Sequence, residues 1–212
     1  MKNLFSISIY FILLFFNSIL YSQTPEDRNF TFDENECYII ARGTKSKREF
    51  IGRKFNIQND SITHIGIGIT INKVFKIFNV NAVRNINALS IDDFATYKNQ
   101  PDLTYLGIWM LELNDKEKND LKNNLAEFER KYIHFDFDFL IGNEEKKLYC
   151  SEFCWLITNN LGSEYKYEPR NINTINLGLN SILKRDVLTY IPTDYFLVLP
   201  NLEFITSWNI NL

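Results

Sequence analysis

The clearest pattern of apolar and polar positions lies between residues 64 and 80. Ile65, Ile67, Ile69 and Ile71 alternate with His64, Gly66, Gly68 and Thr70. A period of two marks a β-strand with one apolar face. Asn72-Lys73 then supplies a two-residue turn, and Val74 to Val80 forms the returning strand. With that loop length Ile71 faces Val74, Gly66 faces Asn79 and His64 faces Asn81, with Asn79 as the diagonal neighbour of His64. His64, Gly66, Gly68, Asn79 and Asn81 therefore share one face, and isoleucines are buried on the other. The glycines are expected to leave room for another backbone or a substrate.

Other elements follow from weaker patterns. Cys37-Tyr38-Ile39-Ile40 reads as a short strand, followed by a loop through Gly43 to Lys47. Leu106 to Leu113 reads as a further strand. Asn114 with Glu117 three positions on has the capping-box pattern, and Leu121, Leu125, Phe128 and Tyr132 fall at helical spacing. Leu148-Tyr149-Cys150 leads into a second helix with Phe153, Leu156, Ile157 and Leu161 on its apolar face and Gly162 at its end. Residues 165–185 are rich in Asn and read as a loop with a short helix, and Tyr195 to Leu199 as the last strand.

The first residues change the picture of what is mature protein. Met1-Lys2 is a positive start, Leu4 to Tyr21 is almost wholly apolar, and the chain turns polar after Ser22. This is the layout of a secretory signal over 1–22, which leaves 23–212 as a single domain in the periplasm or outside the cell. A retained membrane anchor is the alternative.

Composition excludes more than it identifies. The chain has 212 residues, enough for one core, with 45% hydrophobic residues, 18 Phe and 11 Tyr. A net charge of −3 gives no basic footprint for nucleic acid. Three cysteines, Cys37, Cys150 and Cys154, leave an odd thiol in an oxidising compartment. Cys150 and Cys154 share a helix face, and Cys37 with Cys154 could form a bridge. Two histidines and no zinc-type spacing argue against a metal site, and no cofactor is expected.

Cys150 sits where an extended segment meets a helix. A helix start carries partial positive charge and free N–H groups, which favour thiolate over thiol and can hold an oxyanion. His64, on a face opened by glycine, is the candidate base, and Asn79 the candidate partner that orients its ring. Taken singly, each has a plainer reading: an apolar filler for Cys150, a surface or core His for His64, a turn or edge residue for Asn79. His134 competes as the base, but its aromatic and acidic surroundings, Tyr132 to Phe139, make it structural.

These residues give the sequence a resemblance to the circularly permuted papain-like amidases of the YaeF/YiiX type, within the NlpC-like superfamily of cell-wall cysteine peptidases. The family's His-x-Gly strand looks like Thr63-His64-Ile65-Gly66, and its Tyr-Cys-Ser-Glu signature appears as Tyr149-Cys150-Ser151-Glu152. Phe135-Asp136-Phe137 and Tyr190-Ile191-Pro192-Thr193-Asp194 are similar to its flanking segments. The likeness runs from about Asp60 to about Leu202, and the order His, polar residue, Cys fits the permuted branch. Asn79 stands where the family usually has Glu, and the Gly-Asp pair that often opens the first strand is missing from residues 33–42.

The resemblance implies an α+β papain-like (NlpC-like) fold, circularly permuted, with an antiparallel sheet or partial barrel packed against helices. It implies a cysteine hydrolase of amide bonds with Cys150 as nucleophile, His64 as base and Asn79 as orienting residue. The implied partners are a peptide, cell-wall or lipid-linked substrate, with membrane proximity through that substrate. Three alternatives accompany it: acyl transfer or thioester hydrolysis on lipids, a binding protein that keeps the fold without turnover, and a structural disulfide protein.

Overall fold

A computed structural model describes residues 30–46, 50–81, 86–96, 103–142 and 146–210. The expected signal, 1–22, lies outside the described residues. The elements in chain order are β1 (Cys37–Thr44), α1 (Phe50–Phe55), β2 (His64–Ile71), β3 (Val74–Val80), β4 (Ile86–Leu89), α2 (Ile91–Thr96) and β5 (Leu103–Leu111). They continue with α3 (Asp115–Glu129), β6 (His134–Phe135), β7 (Lys147–Leu148), α4 (Cys150–Asn159), β8 (Arg170–Asn173), α5 (Asn180–Leu183), β9 (Val187–Tyr190) and β10 (Leu202–Asn209).

Six strands form one sheet in the order β10-β5-β1-β2-β3-β4, and every neighbouring pair is antiparallel. The β2–β3 hairpin has the expected register, with Ile71 opposite Val74 and Ile67 opposite Phe78. Asn72 and Lys73 both take positive φ, 51° and 65°. That is the primed turn whose twist suits a two-residue hairpin, and Asn tolerates it better than most residues.

The alternation along each strand divides the core in two. On one face Ile39, Ile65, Ile67, Phe78 and Val80 pack against Leu121 and Leu125 of α3 and Phe153, Cys154 and Ile157 of α4. On the other, Tyr38, Ile40, Ile77, Leu106 and Ile108 pack with Phe94 of α2. A smaller third core joins Phe55 of α1 to Leu179, Leu183, Leu188 and Tyr190 of the β8–β9 excursion. The capping box at α3 is complete: Asn114 Oδ1 accepts from Glu117 N–H at 3.0 Å and Glu117 Oε2 accepts from Asn114 N–H at 2.8 Å.

Several expectations need correction. Tyr195 to Leu199 is not a strand. Tyr195–Val198 is a 3-10 turn, and the last strand is β10. β1 runs on through Gly43 to Thr44 where a loop was expected. α3 ends at Glu129, so Tyr132 lies beyond it and is exposed. Gly162 does not close α4 in a left-handed cap. It is extended at φ −177°, and Asn160 is the C-cap. Residues 165–185 contain β8 as well as the short helix α5. None of the three cysteines is in a disulfide, and Cys37 and Cys154 are free buried thiols.

The space beside the glycines of β2 is occupied. A Cβ on Gly66 would lie 2.7 Å from Ile77 Cγ2 and 3.2 Å from Asn79 Cβ, and one on Gly68 would lie 2.4 Å from the Phe75 ring. These glycines let β3 side chains close over the strand, not a substrate.

Candidate active site

His64 opens β2 on the face it shares with Gly66, and the hairpin register carries Asn79 of β3 towards it. His64 Nε2 and Asn79 Oδ1 lie 3.1 Å apart, with the two residues 5% and 1% exposed. Asn79 Nδ2 donates to Ile77 O at 3.4 Å, and Asn81 Nδ2 donates to Asn79 Oδ1 at 3.4 Å. These contacts orient the amide with its oxygen on the imidazole. An amide oxygen only accepts, so with the amide in this orientation Nε2 is the donor of the pair.

Two residues support this ring that sequence reasoning did not single out. Arg42 of β1 is the cross-strand partner of His64 and is buried. Its Nη1 donates to Phe94 O at 2.6 Å, and its guanidinium lies 5.3 Å from the centre of the Phe94 ring. The other neighbour of that ring is His64, at 5.6 Å between centroids and an interplanar angle of 32°. Phe94 is thus an apolar platform shared by a cation and the imidazole, and it is fully buried.

Cys150 is the first residue of α4 and 6% exposed. The N-cap residue, Tyr149, is extended and makes no side-chain capping bond, and Phe153 N–H donates to Tyr149 O at 3.0 Å. Helix geometry leaves the first-turn N–H groups without carbonyl partners in the helix, and no N-cap side chain competes for them. α4 packs across β2 and β3, the strands that carry His64 and Asn79.

The segment 190–194 ties the start of α4 to the start of β2. Ile191 N–H donates to Tyr149 Oη at 2.8 Å, and Ser151 Oγ donates to Ile191 O at 2.8 Å, so the residues on either side of Cys150 hold the backbone of one residue. A Cβ on Gly52 of α1 would lie 3.6 Å from Thr193 Oγ1 and 3.3 Å from the carbonyl oxygen of Thr63, the residue before His64. The buried Asp194 carboxylate accepts from the N–H groups of Ile57, Gln58 and Asn59 at 2.6 to 3.1 Å. Such multiple donation is the arrangement that makes a buried carboxylate affordable in the folded state. The sequence signal for this clamp is the segment Tyr190-Ile191-Pro192-Thr193-Asp194, which is part of the family resemblance.

The remaining titratable groups divide from the site. Burial pushes the Cys37 thiol up to about 12, with Glu36 adding to the rise. Burial likewise holds Cys154 well above the ordinary thiol range, and the neighbouring Cys150 adds to it. Both stay protonated near neutral pH. His134 is exposed and packs edge-on against Tyr132 at 4.9 Å between ring centres. Asp136 accepts from Asp138 and Leu140 N–H, and Glu152 accepts from Gly142 N–H, so these acids shape the loop before α4.

Neither a family model nor a curated protein matches the chain. Its fold is similar to the crystal structure of metalloprotein yiiX from Escherichia coli O157:H7, DUF1105, with a TM-score of 0.64 and 17% sequence identity. The likeness covers 84% of this chain and 99% of that one. At that identity the two share the fold.

Proposed function

We propose that the protein is an exported cysteine hydrolase of amide bonds, built on a permuted papain-like scaffold with Cys150 as nucleophile, His64 as base and Asn79 as orienting residue. The observation that carries this reading is the buried His64–Asn79 hydrogen bond of 3.1 Å on the strands that α4 packs across. Cys150 Sγ attacks the substrate carbonyl as its proton passes to His64 Nδ1. The tetrahedral oxyanion is met by N–H groups of the first turn of α4, that of Cys150 among them. His64 then returns its proton to the leaving amine, and water hydrolyses the acyl-enzyme by the same route.

The uncharged Asn79 orients the ring without a carboxylate's stabilisation of imidazolium, so thiolate formation leans on the helix start. The yiiX protein is described as a metalloprotein. In this chain no group of three His, Cys, Asp or Glu among the described residues could hold a metal ion, and no step here passes through one.

The substrate class that fits an exported member of this fold is a peptide or lipid-linked amide. One observation favours a second reading, in which the fold is kept without turnover: Cys150 and His64 are both nearly buried, at 6% and 5% exposed. Alkylation with iodoacetamide near pH 7, read by mass spectrometry, separates the two. Cys150 labelling at least tenfold faster than Cys37 and Cys154 supports the hydrolase. Equal rates for all three thiols would sink it in favour of the binding protein.

A further inference from the structure

The excursion between Arg170 and Tyr190 turns its apolar residues in two directions. Leu179, Leu183, Leu188 and Tyr190 point inward onto Phe55 of α1. Ile175, Ile182 and Val187 point outward and are 52%, 63% and 58% exposed. The backbone holds these three close together. Asn173 pairs with Val187, Thr174 N–H donates to Asp186 O at 2.9 Å, and Thr174 Oγ1 donates to Arg185 O. Gly178 N–H donates to Ile175 O at 2.9 Å, and Ile182 N–H to Leu179 O at 3.0 Å. One exposed aliphatic needs no explanation, but three on one small unit form a patch.

The charge around the patch is segregated. Lys184 and Arg185 fall between Ile182 and Val187, Arg170 opens β8, and α1, which the unit packs against, ends with Arg53 and Lys54. Residues 170–190 themselves hold three cations, Arg170, Lys184 and Arg185, and one acid, Asp186, in a chain whose 23 basic residues are outnumbered by 26 acidic ones. Aliphatic tips with cations beside them match the boundary layer of an anionic bilayer, where apolar side chains enter and ammonium and guanidinium groups meet phosphate.

We propose that the tip of the β8–β9 excursion is a docking surface for an anionic lipid bilayer, with Ile175, Ile182 and Val187 entering the headgroup boundary and Lys184 and Arg185 on the phosphates. The base of the excursion adjoins the start of α4. Tyr190 Oη donates to Phe55 O at 2.7 Å, and the next residue, Ile191, bonds Tyr149 beside Cys150. Docking would hold that end of the molecule at the lipid surface. The inference stands independently of the proposed hydrolase activity.

The test is co-sedimentation of the full chain with vesicles of phosphatidylcholine alone and with phosphatidylglycerol added. The apolar stretch before residue 23 is common to every variant, so the readout is the ratio of anionic to neutral binding. We expect a ratio of at least ten at low salt, falling about fivefold for each cation removed. The double variant Lys184→Glu/Arg185→Glu should bring it near one, and Ile182→Asp should weaken binding with the circular dichroism unchanged. Half-molar salt on the unmodified chain should weaken anionic binding without any substitution. A ratio near one for the unmodified chain overturns the proposal, as does a double variant that binds like the parent. A concentration-dependent dimer abolished by Ile182→Asp, with vesicle binding unchanged, would assign the patch to a second copy instead.

Discussion

The two faces of β2 are built to different rules. On one, Ile65, Ile67 and Ile69 are buried among many side chains of α3, α4 and the neighbouring strands. Any of them can shrink a little and be compensated, because apolar packing is non-directional. On the other, each residue answers to a particular neighbour: His64 to Asn79 and Phe94, Gly66 to Ile77 and Asn79, Gly68 to the Phe75 ring. That face is specified by distance and direction. One strand can thus serve as a tolerant structural wall and as the mount of the proposed base, with the two tasks a single residue apart.

The largest expected break in that comparison comes from His64→Ala. On the proposed mechanism it removes the proton acceptor of Cys150, so alkylation of Cys150 and amide hydrolysis should fall about 10²-fold or more at neutral pH. The Ile face is untouched, and the melting temperature should stay within a few degrees of the parent. Alkylation rate and thermal melt on the same preparation check both halves. An unchanged rate would detach His64 from the thiol.

Gly66→Val should have the next largest effect and cross between the faces. Its first added carbon would lie 2.9 Å from Phe78 O and 3.2 Å from Asn79 Cβ, and backbone cannot swing aside as a side-chain tip can. We expect roughly 1–3 kcal/mol of destabilisation in urea, the usual cost of overpacking. Asn79 should be displaced from His64 as well. The imidazole hydrogen on His64 Nε2, seen by nitrogen NMR, should lose its hydrogen-bonded shift. A stable variant with an intact His64 signal would show that the glycine is not what holds the pair.

How far the sequence discloses these features depends on whether the governing contact is local. The β2–β3 hairpin was legible because period-two alternation and a two-residue turn fix the register, and the register alone brings Asn79 to His64. The capping box of α3 was legible because both partners lie within four residues. β10 was not. It is a half-exposed edge strand whose pairing with β5 shifts between Phe204 and Thr206, and that irregularity breaks the alternation that reveals strands. Tyr195 to Leu199 is a continuous apolar run, which strand and tight helical turn share. The Asp194–Pro192 region decides between them, with Leu197 N–H donating to Asp194 O at 3.1 Å. Arg42, Phe94 and Asp194 were invisible as supports because their partners lie 52 and about 135 residues away. A buried arginine in a strand has no local signature.

The smallest expected effect sharpens the comparison from the tolerant side. Ile67→Val removes one methylene from a fully buried residue opposite Phe78. Its surroundings include Cys154, Phe153 and Ile157 of α4, side chains flexible enough to relax partly into the gap. The expected cost is about 0.5–1.5 kcal/mol in urea unfolding. The residue lies on the opposite face from His64, so the alkylation rate of Cys150 should match the parent within twofold. A rate loss as large as that of Gly66→Val would mean that the packing of α4 on the isoleucines sets the position of Cys150. The two faces would then be one coupled device, with the wall helping to aim the thiol that, on the proposed mechanism, the other face activates.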